Sequence, residues 1–234
     1  MEERPVVEAA PAATVVLLRD GDAGLEVLLE RRSSRLDFHG GAWVFPGGRI
    51  DPEDYGDRPE DAEGAARRCA VREAKEEAGV DVDPDALVHL SSWTTPEIAP
   101  KRFATWFFVG PVAGGVEEAD GTETDALRWF RPDEALAEHA AGSIELAPPQ
   151  YVTLLDLRDF PTVAAALGAA DAAEVFDYLP RMHVVDGRAV TLYNDDIAYD
   201  DPDAFDRPGP RHRLVFGARG YDDTGWAYIR ESGA

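Results

Sequence analysis

Arg72-Glu73-Ala74-Lys75-Glu76-Glu77-Ala78-Gly79-Val80 sets three carboxylates within five positions and then meets a glycine. Upstream, Pro59 suits a first helical turn, and Ala62, Ala66, Cys69 and Ala70 recur at helical spacing, so the run predicts a helix with a small-residue stripe against the fold. The same steps carry the stripe on to Glu73 and Glu77, with Glu76 beside them. Solvation gives a helix no reason to turn from apolar to acidic on its core-facing side. Like charges four residues apart cost roughly 0.2–0.5 kcal/mol each even when exposed, and more where water is partly excluded. A bound cation reverses that sign, and clustered hard oxygen donors suit Mg2+ or Mn2+ rather than Zn2+. A charged surface helix is the alternative, since Glu and Lys are ordinary helix formers. The flanking sequence decides between them.

Phe45-Pro46-Gly47-Gly48-Arg49-Ile50-Asp51 predicts a tight Gly-Gly turn ahead of the helix, placed to bring backbone carbonyls to the same metal. With this run the chain resembles the Nudix hydrolases, whose pattern is G-x5-E-x7-R-E-U-x-E-E-x-G-U, with U a bulky aliphatic residue. Arg72, Glu73, Glu76, Glu77, Gly79 and Val80 match its second half, Ala74 is a small substitute at the first U, and Gly48 matches the opening glycine. The segment from Gly48 to Arg72 is ten residues longer than the pattern, and Gly64 stands eight before Arg72, where the first glutamate would fall. Glu60, Glu63 and Asp54 are the candidates for that carboxylate.

The 234 residues suffice for one good core and a small annex. The acidic start and a first apolar run of only residues 15–18 predict neither signal peptide nor membrane span, and hence a cytoplasmic protein. Cys69, the single cysteine, reads as a packed small hydrophobe. A net charge of −23 argues against a nucleic-acid partner, because duplex binding neutralises phosphates with Lys and Arg. An anionic small substrate therefore needs a local cluster of metal and arginine.

Residues 12–18 and 25–29 predict a β-hairpin through Asp20-Gly21 and Gly24. Arg31, Arg32 and Arg35 follow, either a solvated edge or, for Arg32 above all, the phosphate-facing lip of a cleft. Residues 28–48 also look like the signature LLTxRSxxLRxHxGxVxFPGG that precedes the Nudix box in coenzyme A diphosphatases. Leu28, Leu29, Arg32, Ser33, Leu36, His39, Gly41, Phe45, Pro46, Gly47 and Gly48 match, while Glu30 replaces a threonine, Trp43 a valine and Asp37 an arginine. His39 is either a loop-bound structural histidine or a substrate contact.

After the helix, residues 87–93 and 103–109 read as strands. Between them a loop with two prolines ends in Arg102 and Phe103, which offer a guanidinium to a phosphate and a ring to a base, or are simply a strand-start arginine and a core phenylalanine. The resemblance implies a further metal-binding or proton-accepting carboxylate several residues before the tryptophan of the next strand. Glu123 holds that place before Trp129, with Glu117 and Glu118 the weaker alternatives. Residues 152–169 predict a helix interrupted at Pro161, and residues 182–193 and 213–229 two hairpins flanking an acidic loop. These hairpins read as a substrate cap, a homodimer surface or a structural annex.

The resemblance implies an α+β fold, a Nudix-type α/β/α sandwich with a mixed sheet over residues 12–140, after a tail at 1–11 and before a helix and β extension at 141–234. It also implies Mg2+- or Mn2+-dependent hydrolysis of a small-molecule diphosphate. Glu73, Glu76, Glu77 and the Gly48 carbonyl are the expected metal ligands, Glu76 or Glu123 the base, and Arg72 the residue that orients Glu73 or Glu76. Arg32, Arg35, His39, Arg102 and Phe103 are the expected substrate contacts. Coenzyme A or an acyl derivative is the expected substrate, with ADP-ribose or NADH competing, because Asp37 would repel a 3′-phosphate. A Nudix-fold sensor that binds without cutting is the rival from another class.

Overall fold

The computed structural model describes residues 6–33, 40–115, 117–217 and 225–232. An apolar run in which both faces are covered makes the first strand, β1 (Ala10–Gly21), and its burial is continuous from Ala12 to Leu18. It turns at Gly24 (φ 126°) into β2 (Gly24–Arg32), in the expected antiparallel hairpin. Short strands β3 (Trp43–Val44) and β4 (Gly47–Arg49) follow, then α1 (Pro52–Tyr55) and α2 (Ala62–Ala78). Next come β5 (Val80–Asp81), β6 (Val88–Thr94), β7 (Phe103–Pro111), β8 (Gly114–Gly115), β9 (Thr124–Phe130) and α3 (Pro132–Ala140). The chain continues through α4 (Pro148–Leu157), α5 (Val163–Ala172), β10 (Phe176–Tyr178), β11 (Arg181–Val185), β12 (Arg188–Leu192), β13 (Arg211–Val215) and β14 (Ala227–Glu231). Among the described residues no helix is long and apolar enough to cross a membrane.

Contacts divide the chain into two compact units, one of residues 11–92 with 105–176, the other of residues 1–10, 93–104 and 177–234. In the first, strands run in the order β6-β7-β1-β2-β3, with β4 also on β1 and β9 also on β2. Helix α2 covers one face, where its alanines meet Ala13, Val15, Leu17, Leu28 and Phe108. On β2 and β9 packs α3, so the expected sandwich of helices about a mixed sheet is what forms.

Two local expectations change, and one takes a sharper form. Gly47 and Gly48 are not a turn: they pair with Thr14 and Ala13 as part of β4. The expected interruption at Pro161 separates two helices, α4 and α5, because Pro161 lacks an N–H and its ring blocks the preceding turn, and Thr162 caps α5 by accepting from the Ala165 N–H at 3.2 Å. Pro59 lies ahead of α2, whose N-cap is Asp61.

The second unit holds the antiparallel sheet β11-β12-β13-β14. Asp186 (φ 49°) and Gly187 (φ 77°) both take positive φ, the two-residue turn that matches strand twist. The acidic loop after β12 is not wholly solvated. Asp196 is buried and accepts from Arg213 Nε at 2.7 Å and Nη2 at 2.8 Å, and from the Ala198 and His212 N–H groups, both at 2.8 Å. Arg213 also donates to the Phe205 carbonyl at 3.0 Å and lies 3.9 Å over the Phe205 ring. Breaking such a pair leaves an uncompensated buried charge, so Asp196→Ala is expected to cost about 3–5 kcal/mol in urea unfolding, and Asp196→Ala with Arg213→Met to recover part of it. An unchanged midpoint in the single variant would show that the pair adds nothing.

Candidate active site

Helix α2 starts where the Asp61 carboxylate accepts the Gly64 N–H at 2.9 Å, and it ends at Gly79, whose φ of 72° lets its N–H reach the Lys75 carbonyl at 3.1 Å. The buried stripe is Ala65, Ala66, Cys69, Ala70, Ala74 and Ala78; Ala62, expected on it, is exposed. Side chains this small bring the helix close to the sheet. The acidic continuation is as the spacing predicts: Glu77 is buried, Glu73 is largely enclosed and Glu76 is exposed.

This closeness is what the two glycines of β4 serve. A Cβ on Gly47 would lie 2.6 Å from both the Ala13 carbonyl oxygen and Thr14 Cβ, and one on Gly48 would run into the Glu73 carboxylate. With that space open, the Gly47 N–H donates to Glu77 Oε2 at 2.9 Å. Cys69 Sγ donates to the Arg49 carbonyl at 3.3 Å, and burial pushes its thiol up to about 12, so it is no nucleophile.

Arg72 ties the acidic residues together. Its Nη1 donates to Glu73 Oε1 at 2.7 Å and Glu76 Oε2 at 3.0 Å, while Nη2 reaches Asp54 Oδ2 at 3.0 Å and the Arg49 carbonyl at 3.1 Å. Asp54 is buried at the first turn of α1, where it also accepts the Asp51 N–H at 2.9 Å. Burial alone would raise its pKa, but hydrogen bonds from Arg72 and the Asp51 N–H outweigh that and hold it low. Counted forward from Gly48, Asp54 is the sixth residue, the place of the first box glutamate. The ten extra residues therefore lie between Asp54 and Arg72. Glu60 and Glu63 are exposed, and Glu63 pairs with Arg67 at 2.7 Å.

One carboxylate escaped sequence reasoning. Glu30, in β2, is 0% exposed, and neither of its oxygens has a hydrogen-bond partner. Burial raises its pKa to about 7, against which the neighbouring Thr124 hydroxyl and the Arg32 charge act only in part. Burial and then the Glu30 charge push Glu77 up to about 9, despite the Gly47 N–H. Burial also raises Glu73, with Arg72 opposing and the Glu76 and Glu123 charges adding. The available signal was the alternation of β2, which puts Glu30 on the same side as Leu28, against α2.

The remaining expected residues divide. Arg32 is half-buried with Nε enclosed and unpartnered, and its charge lowers both Glu30 and Glu77. Glu123 is exposed ahead of β9 and close enough to raise Glu73. Its loop is organised by Asp120, which accepts the N–H groups of Thr122, Glu123 and Thr124. Glu76 and Asp120 border an open depression of about 550 Å3 with Lys75 and Glu118. Arg102 and Phe103 belong to the other unit, where the Arg102 guanidinium donates to the Thr95 carbonyl at 3.0 Å and the Val7 carbonyl at 2.8 Å. Phe103 starts β7 and donates its N–H to Thr95 Oγ1 at 3.0 Å. Arg35 and His39 lie outside the described residues.

Among the described residues no three acidic, His or Cys side chains converge at metal-ligand distance. Arg72 draws Glu73 and Glu76 to itself, and the Gly47 N–H holds Glu77. The donor set nonetheless fits a small hard cation. It is all oxygen, and Glu30 presents two buried orphan oxygens beside a second buried carboxylate.

The NUDIX domain family model matches residues 9–149. The chain is 36% identical over 90 residues to a putative 8-oxo-dGTP diphosphatase of Bacillus subtilis (strain 168), covering 38% of this chain and 50% of that protein. It is 44% identical over 78 residues to the peroxisomal coenzyme A diphosphatase ndx-8 of Caenorhabditis elegans, covering 33% and 30%. Across 275 aligned positions it is 24% identical to the acyl-coenzyme A diphosphatase NUDT19 of Xenopus laevis, covering 76% and 72%. The matched stretches thus take in half of the first relative's length and under a third of the second's. A solved NUDIX hydrolase from Alicyclobacillus acidocaldarius shares the fold, with a TM-score of 0.63 at 24% identity over 73% of this chain and all of that one. Because the matched region takes in helix α2 together with every strand from β1 to β9, the chain belongs to the Nudix family.

Proposed function

We propose that the chain is a divalent-cation-dependent hydrolase that cuts the diphosphate of a nucleotide joined to a second group, with coenzyme A or an acyl derivative the leading substrate. The observation that carries this reading is the turning of Glu73 and Glu77 onto the Gly47-Gly48 backbone in a largely dry recess. Glu73, Glu76, Glu77 and the Gly48 carbonyl would hold the cation. When bound, Mg2+ or Mn2+ supplies charge to offset the diphosphate oxygens and lowers the pKa of water.

The chain's own share is positioning and one proton transfer. Arg72, anchored on Asp54, sets the directions of Glu73 and Glu76 and so acts as a positioning residue. Glu76 or Glu123, both exposed, accepts the proton of the attacking water. Arg32 is better placed than Arg102 to face a phosphate, because its Nε has no partner. Arg102 would first have to leave two backbone carbonyls.

Two relatives described as coenzyme A diphosphatases, and the likeness over residues 28–48, support coenzyme A. Asp37, where that pattern has an arginine, favours ADP-ribose or NADH as the second reading. A sensor is disfavoured because Glu73, Glu76 and Glu77 are all retained. The reading goes with a cytoplasmic protein, the net charge goes with no nucleic-acid partner, and residues 141–234 supply a substrate cap, a homodimer surface or a structural annex.

Glu73→Gln and Glu77→Gln are expected to lose orders of magnitude in turnover, while divalent cation raises the melting temperature of the wild type more than that of either variant. Near-normal turnover of both at saturating Mg2+ would overturn the reading. Without metal, the folded state keeps a proton on Glu77 up to about pH 9, against 4.5 ordinarily. Its stabilising contribution is therefore complete below pH 4.5 and is lost as pH rises toward 9. In chelator, the melting temperature of the wild type should fall relative to that of Glu77→Gln across this window. A constant difference would mean that Glu77 is not held protonated.

Substrate choice is tested by kcat/KM for coenzyme A against dephospho-coenzyme A, which differ only in the 3′-phosphate. The expected result is measurable but not exclusive cleavage of coenzyme A; a clear preference for it, lost in Arg35→Ala, would support a replacement phosphate clamp. Equal rates on both, with faster cleavage of ADP-ribose or NADH, would assign a general nucleotide diphosphatase.

A further inference from the structure

We propose that Glu30, supplied by strand β2 and outside the acidic run of helix α2, is a further carboxylate ligand of the divalent-cation site. The inference rests on the metal-dependent reading above and adds a residue to it.

Three observations converge. Glu30 is completely buried, yet both carboxylate oxygens lack a hydrogen-bond partner, and among the described residues no Lys, Arg or His lies within ion-pair distance of it. An acidic side chain in that state is among the costliest things a core can hold, so an oxygen-seeking cation is the partner that accounts for it. Second, Glu30 faces the recess: it lies on the α2 side of the sheet with Leu28, and its charge is felt by Glu77, while that of Glu73 is felt by Glu30. Third, the Thr124 hydroxyl and Arg32 Nε beside it are also enclosed without partners. Among the described residues Glu30 is thus one of three neighbouring groups whose enclosed polar atoms have no partner. The coenzyme A diphosphatase pattern carries a threonine here. A carboxylate from the sheet, opposite those from the helix, lets a cation be gripped from two elements.

The test is Mn2+ binding to the full chain, followed by the loss of the free-ion paramagnetic resonance signal, together with water-proton relaxation of bound Mn2+. Glu30→Gln should weaken binding about tenfold or more. It should also raise the relaxation enhancement of the Mn2+ that does bind, as water takes the vacated place. A purely structural role would not produce the second effect. Glu30→Asp, which keeps the charge but withdraws it by one methylene, should fall between wild type and Glu30→Gln. Its melting temperature in chelator shows that the fold is intact. If either variant, folded, binds Mn2+ as tightly as the wild type while Glu77→Gln does not, Glu30 is no ligand and the hydrolase reading stands. If the wild type itself binds no Mn2+ at millimolar concentration, both fall together.

Discussion

The close approach of strand β4 to helix α2 is the constraint on which the site depends. It requires two residues without side chains in the strand and a run of alanines on the helix, and both are present. Neither glycine is there for a left-handed backbone. Each leaves room, Gly47 against β1 and Gly48 against the Glu73 carboxylate. The consequence is that Glu77, whose charge burial disfavours, meets a backbone N–H, and that the acidic end of the helix faces the sheet instead of water. A shift of one residue in β4 would bring a side chain into this gap and move the carboxylates outward.

Arg72 is the second constraint, and its role is mechanical. By holding Asp54 on one side and Glu73 with Glu76 on the other, it links α1 to α2 across the ten-residue insertion. The insertion can be long because both its ends are fixed: Asp54 caps α1 and pairs with Arg72, and Asp61 caps α2. Loop-closure entropy grows only with the logarithm of length, so the extra residues weigh little beside those anchors. With metal absent, Arg72 is also the counter-charge that keeps the acidic cluster together.

In the second unit a different solution appears to the same problem of burying charge. Asp196 has four donors to its two oxygens and Arg213 stacks on Phe205, so that pair is complete within the chain. Glu30 has none, and its neighbour Glu77 has one. A satisfied buried ion pair is architecture, and an unsatisfied buried carboxylate is an invitation to a ligand. This contrast within a single molecule separates the two meanings of a buried acid better than burial alone.

The acidic helix, its glycine stop and the family likeness were legible in the sequence, because helical periodicity is local and three or four residues settle which side chains share a face. The same locality made the hairpin at Asp186-Gly187 readable. Asp54 was only one of three candidates, since counting along the pattern fails at an insertion and only the packing of α1 shows which carboxylate reaches Arg72. Glu30 was read as a mere replacement of a threonine, and Arg102 as either a phosphate contact or a strand-start arginine. Their surroundings come from residues far away in the chain: Glu77 and Thr124 for the one, Val7 and Thr95 for the other. Spacing along α2 and the Gly47-Gly48 run determined which family the chain resembles. Tertiary structure decided which oxygens are left without partners, because that depends on what every other segment brings to the same few ångströms.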